Sequence, residues 1–241
     1  MRILSSIRER INLVIGTGIA AIVLLGCGLV SILVLAPKQK LEAYQIERMP
    51  IMDASAITNA PIGESVLVTG YLAGEPLPDA GDFIAYELEE WIVTPADTST
   101  PDAEPDGDWE TIQHTIPNLG LIVGEKPIEL LSAAGAKLSG PMHEKLIASN
   151  DYAAAEYNGK MLSDGSLRYS GFYAGDLVTV LGKKASTGGV IPDEYYAGDR
   201  VAFVESKHSA AKGALIGGIC MIGLAPMVLL GGVLAAVFKK R

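Results

Sequence analysis

Cysteine is almost missing from this sequence: of 241 residues only Cys27 and Cys220 are cysteines, and both lie inside long apolar runs. The stretch between those runs therefore has no disulfide framework and no thiolate zinc site. Histidine is nearly as scarce. His114, His143 and His208 share no helical or strand spacing, so none is expected to serve as a catalytic base or metal ligand. GxSxG, HExxH and the glycine-rich phosphate loop do not occur, which leaves no signature of the nucleophile-elbow, zincin or phosphate-loop enzymes. Basic residues are few where acids are many: 37–212 holds 27 acidic and 13 basic residues, a net charge of −14. Nucleic acid and anionic lipid surfaces need clustered Lys and Arg, so neither is expected as a partner of this stretch.

Apolar residues are abundant, and they are concentrated at the two ends. "INLVIGTGIAAIVLLGCGLVSILVLA" (11–36) and "GALIGGICMIGLAPMVLLGGVLAAVF" (213–238) contain no charged residue. A helix of about 26 residues is ~39 Å long against a hydrocarbon core of ~30 Å, so each run is expected to be a transmembrane helix. The first run exceeds the roughly 7–15 apolar residues of a secretory signal. Nine apolar residues also follow Cys27 of "LLGC", where a lipoprotein signal would turn polar, so an uncleaved anchor is expected. Arg2, Arg8 and Arg10 precede the first run, and Lys239, Lys240 and Arg241 follow the second. These flanks place the tails 1–10 and 239–241 in the cytoplasm and the middle outside it, at the plasma membrane; Lys38 and Lys40 argue weakly the other way. Gly16 with Ala20, and Gly213 with Gly217, leave gaps in side-chain bulk that let helices approach closely. Packing of the two spans on each other is the expected use, with a homo-oligomer seam as the alternative. Cys27 and Cys220 fall at similar depth in antiparallel helices and are expected as small packing residues. Pro226 with Gly223 is expected to kink the second helix mildly.

After the first span, "PKQKLEAYQIERM" (37–49) predicts a short amphipathic helix ending before Pro50. The pattern then changes to short runs rich in Val, Ile, Tyr and Phe: "ESVLVTGYL", "FIAYELEEWIV", "WETIQHTI", "LGLIVG", "LRYSGFY", "DLVTVLGKK" and "DRVAFVES". Seven such runs predict a mainly β domain over 50–208. "MHEKLIASN" and "NDYAAAEYN" read as short helical pieces. "GESVLVTG" at Gly63 and "GDLVTVLG" at Gly175 repeat one form, in which a Gly-acid turn leads into a strand with alternate valines and a closing Gly; "GDRVAFVES" at Gly198 starts in the same way. A closing Gly permits the bulge or bend that a small curved barrel of the OB type requires. The expected fold is therefore an α+β membrane protein, with two transmembrane helices enclosing a mainly β, OB-like small-barrel domain.

"DAEPDGDWETIQ" (102–113) tests for a metal. Asp102, Glu104, Asp106 and Asp108 fall on alternate positions with Gly107 sixth, as in the early part of an EF-type calcium loop. Position 12, however, is Gln113 where a bidentate Glu is needed, and strands flank the segment. The expectation is an acidic, mobile hairpin tip over 94–108, with no resident metal and no cofactor. In "YELEEW", Glu87, Glu89 and Glu90 invite an acid–base reading, but Glu87 and Glu89 alternate onto one strand face, which suits a wet face as well.

Two spans enclosing "APIGESVLVTGYL", then "FIAYELEEW" with a Trp-led return strand, then "RYSGFYAGDLVTVLGK", resemble the GIDE-type, or beside-a-membrane, domain family over roughly 50–206. Its best-known members are organellar ubiquitin ligases. Their domain lies outside the cytosol and engages partners, and a cytosolic RING finger after the second span does the chemistry. This sequence ends three residues after Phe238 and offers no RING ligands, so ligase activity is not expected. The resemblance implies a non-enzymatic anchored protein whose β domain binds a protein partner or organises a complex beside the bilayer. Tyr86, Trp91 and Trp109 are the expected contact residues, because aromatics give contact area at low entropic cost; the domain core is their alternative place. Two other functions compete: an NfeD-like OB-domain partner of membrane scaffolds and proteases, and a metal-dependent envelope hydrolase using the acidic cluster.

Overall fold

The computed structural model describes residues 2–96 and 104–238. The chain divides into two compact units: a helical one ending at Arg48 and resuming at Val204, and a β-rich one over Met49–Phe203.

In the helical unit, α1 (Arg2–Val30) continues through a π turn (Ser31–Leu35) into α2 (Ala36–Arg48). The widened turn has a local cause. Pro37 has no N–H to donate, and in a regular helix its ring would press on the carbonyl four residues back. The Ala36 amide instead bonds the Ser31 carbonyl, five residues back, and makes room. The last helix, α4 (Arg200–Phe238), contains Pro226 and stays helical through it. Both long helices are apolar enough to cross a membrane, and only 17% of the most apolar window of each is buried. They are therefore not core helices; Ile22 and Met227, for example, are exposed. α1 and α4 meet where side chains vanish: a Cβ on Gly28 would lie 2.8 Å from the Gly218 carbonyl oxygen, and one on Gly218 would lie 2.9 Å from that of Gly28. The small residues expected to make this contact do not make it. Gly16, Gly213 and Gly217 have open space where a Cβ would point, and Ala20 is exposed. Cys27 and Cys220 are free and exposed. Farther along, Glu42 pairs with Lys207 at 3.4 Å, and His208 meets both Glu47 at 3.4 Å and the Tyr44 ring.

α4 begins 13 residues before its apolar run, which corrects the strand expected at "DRVAFVES". Asp199 caps it, its carboxylate accepting the Ala202 amide at 2.8 Å. The Gly-acid signature shared with the two true strands serves here as a helix N-cap.

The β-rich unit opens with α3 (Ala54–Asn59). Its cap Asp53 accepts from the Ser55 hydroxyl at 2.6 Å and the Ala56 amide at 2.7 Å, and these bonds, Ser55 first, hold the carboxyl below its ordinary range. Among the described residues twelve strands follow: β1 (Ser65–Ala73), β2 (Phe83–Thr94), β3 (Asp106–Thr115), β4 (Leu119–Val123), β5 (Lys126–Leu130), β6 (Lys137–Ser139), β7 (His143–Ile147), β8 (Ala154–Tyr157), β9 (Lys160–Ser163), β10 (Leu167–Tyr173), β11 (Leu177–Lys184) and β12 (Val190–Ala197). The pairings β11–β1–β4–β5–β12 return from β12 to β11, so five strands form a closed circuit; β5–β12 is parallel and the rest are antiparallel. β6 extends this sheet beside β12. The repeated segments of the sequence pair with each other: Val68 opposes Val180, Val66 opposes Gly182, and Gly70 opposes Val178. All four valines are buried, and they share a core with Leu72, Leu121, Leu130, Phe172 and Tyr195. At Gly182 the pairing with β12 shifts register, and a Cβ there would collide with the Ile191 carbonyl, so the closing glycine admits the neighbouring strand.

A second, antiparallel sheet has the order β3-β2-β10-β7, and β8–β9 form a separate hairpin. β7 and β8 replace the helical pieces expected at "MHEKLIASN" and "NDYAAAEYN". For β8 the missed signal is Asn158-Gly159, both at positive φ (51° and 78°), a two-residue turn that matches strand twist.

Candidate functional site

A groove of about 330 Å³ is lined by Glu87 of β2, His114 of β3 and the consecutive residues 134–139 leading into and through β6. Strand register sets two of these residues side by side, because Glu87 and His114 are direct cross-strand partners. The His114 Nε2 lies 2.9 Å from the Ala136 carbonyl oxygen, and tethers the start of β6 to the other sheet. The Glu87 carboxylate accepts from the Thr111 hydroxyl at 3.2 Å. At the end of β6, the Ser139 hydroxyl reaches the Glu194 carboxylate at 2.9 Å and the Tyr195 carbonyl at 3.1 Å. Glu194 is nearly buried and stands beside Lys137 in the parallel register. The lining thus combines a carboxylate, Glu87, with an exposed ammonium, Lys137, and the backbone of β6.

Of the three aromatic residues expected to make contacts, Tyr86 and Trp91 take the alternative place in the core, and Trp109 is half-buried. Tyr86 and Trp91 are buried at 4% and 3% exposure, so they do not present an exposed face. Tyr86 belongs to a cluster with Phe83 and Leu88, and its hydroxyl accepts from the Gln113 amide at 2.9 Å. Trp91 and Trp109 are cross-strand partners with ring centres 5.1 Å apart, and Tyr157 of β8 completes the group. Arg168 lies over the Trp109 ring at 4.4 Å, donates to Glu89 at 2.7 Å and to the Tyr157 hydroxyl at 2.8 Å. Glu89 is therefore paired, and the expectation of a simple wet face for Glu87 and Glu89 is corrected: one carboxylate holds Arg168 and the other lines the groove. Arg168 and Tyr157 carry no motif in the sequence; only the register of β10 on β2, which sets Arg168 opposite Glu89, brings them here.

Of the candidate calcium residues, Asp102 lies outside the described residues. Asp106 and Asp108 belong to β3, and their carboxylates accept the amides of Gly107 and Trp109. Glu104 precedes that strand and is exposed. The expected tip of 94–108 is thereby shortened, since Thr94 already pairs with Asp106. Gly107 has its own reason to be glycine: a Cβ there would strike the Trp91 ring. Among the described residues no group of three or more His, Cys, Asp or Glu is placed to hold a metal ion.

His143 lies 3.1 Å from the Asp176 carboxylate and stacks on Tyr173 with ring centres 4.1 Å apart. Lys184 and the Tyr195 side chain are both buried inside the β-rich unit. Lys184 reaches the Gly188 carbonyl, and the Tyr195 hydroxyl has no hydrogen-bond partner, its burial raising the phenol well above its ordinary value. Comparison with known proteins returns no matching family model, no matching curated protein and no matching solved structure.

Proposed function

We propose that this is a non-enzymatic, membrane-anchored protein whose β-rich unit binds a protein partner, or organises a complex, beside the bilayer. The observation that carries the reading is the pair of long helices with exposed apolar side chains, one on each side in sequence of a unit that has its own packed core. Apolar surface of that extent is stable in lipid and costly in water. The basic flanks favour cytoplasmic termini and an extracytoplasmic β unit at the plasma membrane. Two anchors would raise the effective concentration of the unit for neighbouring membrane proteins.

The closed circuit of five strands with one parallel pair supports an OB-like barrel. The segments that resemble the GIDE-type family are β1, β2 and β10 with β11, all in this one unit, which supports a recognition domain of that kind. The test is chemical crosslinking in native membranes, with mass spectrometry of the species joined to the full chain. A stoichiometric protein joined through Met49–Phe203, from a fraction that resists alkaline extraction, is the expected result. Recovery of the chain in the alkaline supernatant, or of self-crosslinks alone, overturns the reading.

A further inference from the structure

Building on the partner-binding reading, we infer that the groove takes an extended segment of the partner as an added strand on the open edge of β6, with a basic residue against Glu87 and an adjacent acidic residue against Lys137. β6 is the last strand of its sheet, bonded to β12 on one side only. Residues 134–139, the turn that leads into β6 and then β6 itself, line the groove without a break. The three residues of β6 span ~10 Å, and an open strand edge presents N–H and C=O groups that another strand satisfies. A volume of about 330 Å³ admits a short stretch of chain, not a folded domain.

The charges of the lining state which segment fits. Glu87 is half-buried and Lys137 is exposed, and both line the groove. A docked segment with one basic and one adjacent acidic residue complements the two. Lys137 is the one lysine or arginine among the lining residues, which does not suit a phosphate backbone. The edge itself is held in place: His114 fixes Ala136 at its start, and Ser139 is anchored to Glu194 and to the Tyr195 carbonyl at its end. A docking strand therefore meets backbone that is already ordered.

The test uses the full chain in phosphatidylcholine nanodiscs and fluorescein-labelled hexapeptides, acetyl-Thr-Val-Lys-Glu-Val-Thr-amide and the same peptide with Lys and Glu exchanged, read by fluorescence anisotropy. At least one order binds, and N-methylation of alternate peptide amides weakens it roughly tenfold or more, because it removes strand donors. Glu87→Lys weakens the same peptide roughly tenfold and shifts preference to a Glu-Glu peptide. Lys137→Glu, at an exposed position, shifts preference to a Lys-Lys peptide and guards against misfolding of the first variant. Failure of both orders to bind at millimolar concentration overturns the proposal, as does binding that ignores N-methylation and both charge reversals. If crosslinking in membranes then still yields a stoichiometric partner through the β unit, strand docking alone has failed. If it yields none, the partner-binding reading falls as well.

Discussion

The closed circuit β11-β1-β4-β5-β12 and the sheet β3-β2-β10-β7 belong to one unit but are held by different chemistry. The inside of the circuit is mainly aliphatic: Val66, Val68, Val178, Val180, Leu121 and Leu130 are at most 2% exposed and bring no polar side-chain atom with them, and Tyr195 is the polar exception among them. Such a core is stabilised by area and volume, so its register follows from which residues must face inward. Around Trp91 and Trp109 the second sheet depends on direction instead, through an arginine shared between a carboxylate, a phenol and an indole face. The first kind of packing supplies stability and tolerates similar shapes; the second fixes one arrangement and tolerates little.

The largest effect is expected where the aliphatic core is hollowed. Leu121 is fully buried, and Leu121→Ala should cost about 3 kcal/mol from lost transfer energy and the cavity left behind. Urea unfolding of the full chain in detergent, followed by circular dichroism, measures this. Trp91 and Trp109 are the only tryptophans, and they sit together in the other sheet, so indole fluorescence reports on that sheet alone. Coincident midpoints mean that the circuit and the sheet unfold as one; a tryptophan transition that stays put when Leu121 is truncated would separate them.

Arg168→Met breaks the directional cluster and leaves the Glu89 carboxylate without its partner. Arg168 and Glu89 keep 18% and 17% of their side-chain surface exposed, so the loss should be about 2 kcal/mol, less than for a fully buried pair. Adding Glu89→Leu should restore most of it, because the stranded charge goes with it. If the double variant is no more stable than Arg168→Met, packing of the guanidinium on Trp109 is the larger contribution.

The same contrast explains what could be read from sequence. The valines of "GESVLVTG" and "GDLVTVLG" announced two inward-facing strands by alternation alone, and those segments proved to pair with each other. The span-length apolar runs were legible from composition, but not the residues at which the helices touch: Gly28 and Gly218 lie in the middle of runs where glycine is frequent, and only the crossing selects them. "NDYAAAEYN" was misread because its alanines favour a helix, while the next residue completes an Asn-Gly turn. The groove had no local signature, since Glu87, His114 and Lys137 are brought together by the β2–β3 register and the return of the chain into β6.

Tyr195→Phe should act in the opposite direction from the first two changes. The hydroxyl is buried without a partner, so its removal should stabilise the protein by about 1 kcal/mol. Burial raises the phenol above its ordinary value of 10, so below pH 10 the titration costs folding nothing, and as pH climbs above 10 toward the folded value the tyrosine increasingly opposes folding, because only the unfolded chain gains by ionising. Urea midpoints between pH 8 and 11 should fall less steeply in the phenylalanine variant. Equal slopes would mean that the hydroxyl is hydrated.

The smallest expected effect is none at all, and it concerns the acidic segment at the end of the directional sheet. A calcium loop and a hairpin tip both favour alternating acids with a glycine, but for unrelated reasons: the loop needs Gly for its turn, and β3 needs it because Trp91 occupies the space of a side chain. Asp106 and Asp108 already accept backbone amides within a strand, and Gln113 donates to the Tyr86 and Thr115 hydroxyls rather than offering a bidentate carboxylate. Calcium at about 1 mM should therefore leave the melting temperature unchanged, whereas a site with a dissociation constant near 10 µM would add roughly 2.7 kcal/mol at that concentration. Gly107→Ala sharpens the comparison: it should lower the tryptophan unfolding midpoint with or without calcium, because the added methyl meets an indole ring rather than a metal loop.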